Sequence, residues 1–242
     1  MGVSIRNSCV KEKSASNPRI WVVPRTSPSH ILGFFYVLGG FMRKIYTRYI
    51  FDIDYTLLCP NWTPGNEYLK QNLNIDKESL KKIYSYITEY EEKVPFLTPD
   101  GLVNYFNQKG IPMTEDILDG WLIKNQNMTM VYEGVRELLV ALKSHNKQIS
   151  VVSDWFRKCQ YKRLEKAGLL SYIDTFVFGD TALKPNKEAY EKALMYTPKE
   201  QCLFIGDNYQ KDIEGPKAFG LDAVQVTDEN RHYMYRKLRK EI

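Results

Sequence analysis

The sequence predicts an α/β fold: a parallel sheet with helices on both faces, carrying an all-helical domain inserted after the first strand. Three observations predict it. Five short runs rich in β-branched and aromatic residues alternate with helical stretches. One long segment after the first run breaks that rhythm and holds only helical patterns. Acids, a serine and a lysine fall at or just past the ends of the runs, where open parallel sheets bind ligands.

The first run, Tyr46 to Ile53, has no turn residue and leads into acids, so it reads as a buried strand opening onto a site. Ile149 to Val152, Thr175 to Phe178, Cys202 to Ile205 and Ala223 to Val226 read as the other strands. Helices are expected between them at Phe156 to Ala167, Lys187 to Tyr196 and Tyr209 to Phe219, the last interrupted or restarted at Pro216. Connections of this length make parallel neighbours with right-handed crossovers. From about Cys59 to Met130 no convincing strand occurs, and helices are expected at Ser79 to Glu92, Leu102 to Gln108 and Glu115 to Lys124. Thr98 is placed to cap the second of these, with Pro99 at its first position, and Thr114 caps the third ahead of Glu115 and Asp116. The amphipathic stretch Gly134 to Lys143 leads back to the sheet. The expected organisation is therefore an α/β core over 42–58 and 132–242, an insertion over 59–131, and a leader over 1–41.

The leader is set apart by composition. Residues 1 to 30 are rich in Ser, Asn, Pro and Arg, and the apolar run Ile31 to Phe41 is 11 residues long, short of the roughly 20 a membrane-spanning helix needs. Its basic, acid-poor character suits a presequence. The favoured alternative is that translation starts at Met42, because Leu38-Gly39-Gly40 can be encoded by a purine-rich AGGAGG run just upstream of ATG. The leader holds a net +4 of the chain's formal +5, so the remainder is nearly neutral and carries no nucleic-acid footprint. A basic tail at Arg231, Arg236, Lys237, Arg239 and Lys240 reads as a solvated helix face. Cys9, Cys59, Cys159 and Cys202 are scattered without metal-ligand spacing and read as free thiols in a reducing cytoplasm. His30, His145 and His232 lie outside every motif and read as structural or surface residues.

The chemistry lies at the strand ends. The first strand ends Phe51-Asp52-Ile53-Asp54-Tyr55-Thr56, and residues two apart on a strand share a direction, so Asp52 and Asp54 can face one crevice. Two adjacent carboxylates repel unless a cation or proton relieves them. The fourth strand delivers Gly206-Asp207-Asn208-Tyr209-Gln210-Lys211-Asp212, with Gly206 permitting a tight turn and Asp207 and Asp212 enlarging an acidic cluster suited to octahedral Mg²⁺. The second ends Ser153-Asp154 at the start of a helix, where phosphate oxygens are favoured. Lys184, before Pro185, can reach the same crevice as a point charge for a phosphoryl oxygen.

The order and spacing of these motifs over residues 46 to 226 resemble the haloacid dehalogenase superfamily, in the phosphoglycolate phosphatase-like or nucleotidase-like branch with a helical cap after the first strand. The resemblance implies a Rossmann-like core and a phosphate monoester hydrolase that works through a phosphoaspartyl intermediate. It implies that Asp52 is the nucleophile and Asp54 the acid and then the base. It further implies phosphoryl contacts from Ser153 and Lys184, with Thr56 and Asp154 in the substrate site, and Mg²⁺ held by Asp52, the backbone carbonyl of Asp54, Asp207 and Asp212.

Three rivals share the scaffold. A haloalkanoate dehalogenase has a leaving group that needs no proton and leaves Asp54 unexplained. A sugar phosphomutase uses the same two aspartates and excludes water from the phosphoenzyme. A non-catalytic anion-binding protein would not need the full set of motif residues. For substrate, the stretch Asn61 to Met130 has a net charge of −3, no arginine and many aromatic residues. A small monophosphate such as a nucleoside monophosphate or sugar phosphate is expected ahead of phosphoglycolate or a bisphosphate. Tyr55 either lines the entrance or packs under the cap, and Cys59 and Trp62 lie near the hinge into it.

Overall fold

The computed structural model describes residues 35–36 and 43–242. The expectations for Cys9, His30 and most of the leader lie outside them. A short antiparallel ribbon comes first, β1 (Phe35–Tyr36) with β2 (Arg43–Lys44). The core opens with β3 (Arg48–Phe51), after which the chain passes through β4 (Leu58–Pro60) into the insertion. That insertion holds α1 (Thr63–Leu73), α2 (Lys77–Glu91), α3 (Pro99–Gln108) and α4 (Glu115–Lys124). The return runs through β5 (Met128–Val131) and α5 (Val135–Ser144). Then follow β6 (Gln148–Ser153), α6 (Arg157–Lys166), β7 (Thr175–Phe178), α7 (Lys187–Leu194) and β8 (Cys202–Gly206). A π-helical turn, Tyr209–Glu214, leads into α8 (Gly215–Phe219), β9 (Asp222–Gln225) and α9 (Arg231–Glu241).

The five core strands form one sheet in the order β7-β6-β3-β8-β9, and every neighbouring pair is parallel. Parallel strands are buried on both faces, and the side chains divide accordingly. Tyr49, Phe51, Ile149, Val151, Leu203 and Ile205 pack on one face with Leu138, Leu139 and Leu142 of α5 and Tyr235 and Leu238 of α9. Their neighbours Ile50, Val152, Cys202 and Phe204 pack on the other with Ala189, Tyr190 and Ala193 of α7. Because β3 is central, its last residue, Phe51, sends the chain out at the middle of the sheet's carboxyl edge.

The insertion has its own apolar cluster, including Leu69, Ile83, Leu102, Phe106 and Trp121, and this extends onto Phe156, Cys159 and Leu183 of the core. The cap therefore sits on the core through shared apolar surface. Backbone bonds add to that seat, from Leu97 N to the Gly179 carbonyl at 2.7 Å and from Leu183 N to the Pro95 carbonyl at 3.1 Å. Two helix starts match their sequence signals, Thr98 accepting from Gly101 N at 3.1 Å and Thr114 from Ile117 N at 3.2 Å, while α2 starts two residues before the expected Ser79, capped by Asp76, which accepts from Ser79 N at 2.8 Å.

Several expectations are corrected. The segment from Cys59 to Met130 is not free of strand, because β4 and β5 pair as an antiparallel ribbon at the root of the cap. It also holds a helix that the sequence pattern does not signal, α1, which begins without a side-chain cap. The stretch Tyr209 to Phe219 is a π turn followed by an α-helix, and the change falls at Gly215, just before Pro216, whose missing N–H suits the start of a helix. Cys159 and Cys202 are free and buried, whereas Cys59 is disulfide-bonded, which corrects the free-thiol expectation at that position. No helix among the described residues is long and apolar enough to cross a membrane.

Candidate active site

Asp52 is the first residue past β3 and is 7% exposed. Its amide donates to the Ile205 carbonyl at 2.9 Å, so the sheet ladder continues into the site and fixes its backbone. Lys184 Nζ lies 2.7 Å from Asp52 Oδ1 and 2.7 Å from Asp212 Oδ1. Asp207 completes the group, since Asp52, Asp207 and Asp212 each bring a carboxylate oxygen within 4.8 Å of the others. Burial pushes the Asp52 carboxyl well above its ordinary range, with Asp212 and Asp207 adding to the rise and Lys184 opposing it. Burial alone would lower the Lys184 ammonium, but Asp212, Asp52 and Asp154 outweigh it and hold it well above its usual value. Three carboxylates that converge within 4.8 Å of one another make a hard-oxygen donor set that fits a divalent cation such as Mg²⁺.

Asp212 reaches this cluster from the π turn, a feature often found at functional sites. Its Oδ2 accepts from Asn208 N at 2.9 Å, and the Asn208 side chain caps Lys211 N at 3.1 Å. A Cβ on Gly206 would stand 2.4 Å from Asp212 Cγ. Glycine is thus required there for close approach of the carboxylate, rather than for the tight turn expected from sequence.

The remaining predicted residues surround the same crevice. Ser153 ends β6 and Asp154 follows it, with Asp154 Oδ1 accepting from Lys184 N at 2.7 Å and Oδ2 lying 2.8 Å from Lys211 Nζ. Asp54 accepts from Gln160 Nε2 at 2.7 Å and from Arg163 Nη1. Asp52, Asp54, Ser153, Asp154, Lys184, Asp207 and Asp212 all line one cavity of about 340 Å³. Thr56 does not. It is fully buried with its hydroxyl unpartnered, so its expected substrate contact is not among those the cavity offers.

Sequence reasoning missed several features in and beside this cavity. Glu91, at the end of α2, bonds Lys211 Nζ at 2.7 Å and so ties the cap to Asp154 of the core. Burial raises the Glu91 carboxyl to about 7, Asp154 adds to the rise, and Lys211 opposes it. Lys211, held between two carboxylates, is itself raised although burial opposes that. Tyr55 occupies the left-handed region at φ 59°, a strained conformation for an aromatic residue. It is held by Arg231 Nη2 on its carbonyl at 2.6 Å and by Trp62 Nε1 on its hydroxyl at 3.0 Å. Gln160 and Arg163, beside the cavity rather than on its wall, are fully buried on α6, a largely polar helix. Tyr55, Trp62, Tyr84, Trp121 and Trp155 give the cavity an aromatic wall, so Tyr55 takes the first of its two readings. A larger cleft of about 1190 Å³ between α2, α7 and α8 shares Glu91, Lys184, Asn208 and Lys211 with the site. The residues of the strand-end motifs converge instead on the smaller cavity.

Fold and site together define a capped α/β scaffold built around a carboxylate cluster. The chain belongs to the haloacid dehalogenase-like hydrolase (HAD) family, whose model matches residues 49–226, more than half of the sequence. Among characterised relatives, it is 25% identical over 146 residues to the glyceraldehyde 3-phosphate phosphatase of Methanothermobacter thermautotrophicus, covering 59% of this chain and 58% of that protein. It is 32% identical over 103 residues to the pyrimidine 5′-nucleotidase YjjG of Escherichia coli, covering 40% of this chain and 45% of that protein. The chain thus spans about half the length of each of these relatives. Among solved structures, the magnesium-bound orthorhombic form of the HAD-hydrolase YfnB from Bacillus subtilis aligns with a TM-score of 0.62 at 20% identity, over 81% of this chain and 99% of that one. At that identity the likeness is one of fold.

Proposed function

We propose that the chain is a Mg²⁺-dependent phosphatase that hydrolyses a small phosphate monoester through a phosphoaspartyl intermediate on Asp52. The observation that carries this reading is the cluster of Asp52, Asp207 and Asp212 carboxylates, with Lys184 bridging Asp52 and Asp212 and Asp54 on the same cavity. The phosphatase and nucleotidase relatives support the same reaction class.

Asp52, Asp207, Asp212 and the Asp54 backbone carbonyl would hold Mg²⁺, which supplies charge neutralisation for a phosphoryl group entering an acidic site. Lys184 adds a fixed positive charge beside the nucleophile, and Ser153 offers a hydroxyl to a phosphoryl oxygen. Asp52 attacks phosphorus, the bond to the leaving oxygen breaks, and Asp54 gives that oxygen its proton. Asp54, now a carboxylate, takes a proton from the water that attacks phosphorus and frees Asp52. The cap covers the leaving group, and its aromatic wall favours a neutral or ring-bearing one, as in a nucleoside monophosphate or a sugar phosphate.

The test is phosphate release from an aryl phosphate by the purified protein, with Mg²⁺ and with excess chelator. Activity should require Mg²⁺, and Asp52→Asn should lower kcat by about a thousandfold or more, the scale of losing a covalent nucleophile. Full activity in chelator would remove the metal from the reading, and an active Asp52→Asn protein would remove the nucleophile.

A further inference from the structure

Both oxygens of Asp54 are engaged by side chains one turn apart on α6. Gln160 Nε2 is 2.7 Å from Asp54 Oδ2 and also 2.7 Å from Ser153 Oγ. Arg163 Nη1 bonds Asp54 Oδ1 and lies 3.2 Å from Gln160 Oε1. Gln160 and Arg163 are both 0% exposed. The other contacts of Arg163 reach the roots of the cap. Its Nε donates to the Asn125 carbonyl at 2.7 Å, just past α4, and its guanidinium sits 4.3 Å from the centroid of the Trp62 ring, just before α1.

A structural role alone accounts for part of this arrangement, because a buried guanidinium requires a carboxylate partner. It does not account for Gln160, a neutral buried amide that occupies the second oxygen of Asp54 and ties it to Ser153. An acid and base must stay within hydrogen-bond reach of the atoms it serves, and a displacement of about 1 Å costs roughly a hundredfold in rate. A carboxyl gripped at both oxygens cannot turn away.

We propose that Gln160 and Arg163 are positioning residues that fix the Asp54 carboxyl for proton transfer, and that Arg163 makes this position depend on how the cap is seated. The proposal rests on the phosphatase reading, with Asp54 as acid and base. In it, Arg163 reads the cap through the Asn125 carbonyl and the Trp62 ring and reports to Asp54. Gln160 keeps Asp54 in register with Ser153 on the phosphoryl side of the cavity.

The experiment compares the wild-type chain with Gln160→Leu, Arg163→Met and Arg163→Lys in Mg²⁺, on p-nitrophenyl phosphate and on glycerol 1-phosphate. It reads kcat, KM and the acid-quenched phosphoenzyme. Gln160→Leu should lower kcat about 10- to 100-fold on glycerol 1-phosphate and less on the aryl ester, whose leaving group needs no proton. KM should stay within about threefold, and phosphoenzyme should accumulate on the aryl ester as its hydrolysis slows. Arg163→Lys should recover part of what Arg163→Met loses. Should Arg163→Met fail to fold, Gln160→Leu, which keeps side-chain size, still decides the outcome. An active wild type whose Gln160→Leu form shows equal losses on both esters and no added phosphoenzyme would overturn the positioning role alone. A wild type that releases no phosphate from either ester would overturn the phosphatase reading and the proposal with it.

Discussion

At the scale of single residues, the site depends on packing as closely as on charge. Asp212 is fully buried against the backbone of Gly206, where an added Cβ would meet its Cγ at 2.4 Å. Gly206→Ala must therefore move either the strand end or the carboxylate. The expected cost is about 1–3 kcal/mol of stability, typical of overpacking, with a more than tenfold loss of activity and a higher Mg²⁺ concentration for half-activation. Thermal melts and a Mg²⁺ titration check this, and a variant with an unchanged titration would show that Asp212 tolerates displacement. The motif residues were legible because Asp-x-Asp-x-Thr, Ser-Asp, the lone lysine and Gly-Asp each occur where a strand pattern stops. Gln160 and Arg163 were not, because Arg157 to Lys166 reads as a polar helix and only their burial reveals the inward face. The strain at Tyr55 was equally hidden, since nothing local signals a positive φ at an aromatic residue, and its partner Arg231 lies on α9.

At the scale of elements, the signals that succeeded were caps and periodicity, and those that failed were weak intrinsic preferences overridden by tertiary contact. The helix α1 contains Gly65, Asn66 and Asn72, poor helix formers, and begins without a cap bond. It forms because Gly65 lies against Asn125 and Trp121, so closely that a Cβ would fall 1.9 Å from Asn125 Oδ1. The ribbon of β4 and β5 is short, contains Pro60 and shifts register at Cys59, so no alternation marks it. The end of α2 carries the testable consequence. Glu91 titrates near 7 in the folded chain, above an unfolded carboxyl near 4.3, because burial beside Asp154 outweighs Lys211. A raised carboxyl binds its proton more tightly when folded, so its contribution to stability is full at low pH and is lost as pH rises from about 4.3 to 7. Glu91→Gln cannot titrate there. Its melting temperature should rise relative to wild type between pH 5 and pH 7.5, by an amount equivalent to about 1–3 kcal/mol. A difference that stays flat across that range would place the Glu91 carboxyl outside the cap's seat on the core.

At the scale of the whole molecule, the parallel sheet fixes where the motif residues meet, and in the proposed phosphatase the cap would select what accompanies the phosphate. The order β7-β6-β3-β8-β9 brings strand ends far apart in sequence to one edge, which is why motifs separated by more than a hundred residues meet in one cavity. That much follows from alternating strands and helices. Which cap residues face the site did not, because most of the cap's aromatic residues pack within it and only the folded chain brings Trp62, Tyr84 and one side of the core residue Trp121 to the cavity. The cavity volume of about 340 Å³ suits one small leaving group. Among the described residues, its walls hold the carboxyls of Asp52, Asp54, Glu91, Asp154, Asp207 and Asp212 against Lys184 and Lys211. On the proposed reading, Asp52, Asp207 and Asp212 would hold one divalent cation whose charge would offset the phosphoryl group, which would leave no positive charge for a second anionic group, since Lys211 is already held by Glu91 and Asp154. An unpaired like charge in such a site costs several kcal/mol, and each 1.4 kcal/mol is tenfold in affinity. Nucleoside monophosphates and sugar monophosphates should therefore exceed bisphosphates and phosphoglycolate by about tenfold or more in kcat/KM, measured as one panel at fixed pH and Mg²⁺. If phosphoglycolate or a bisphosphate leads that panel, the cap must move far enough on binding to bring another cation to the leaving group. The charge of the cavity would then no longer describe the selecting state.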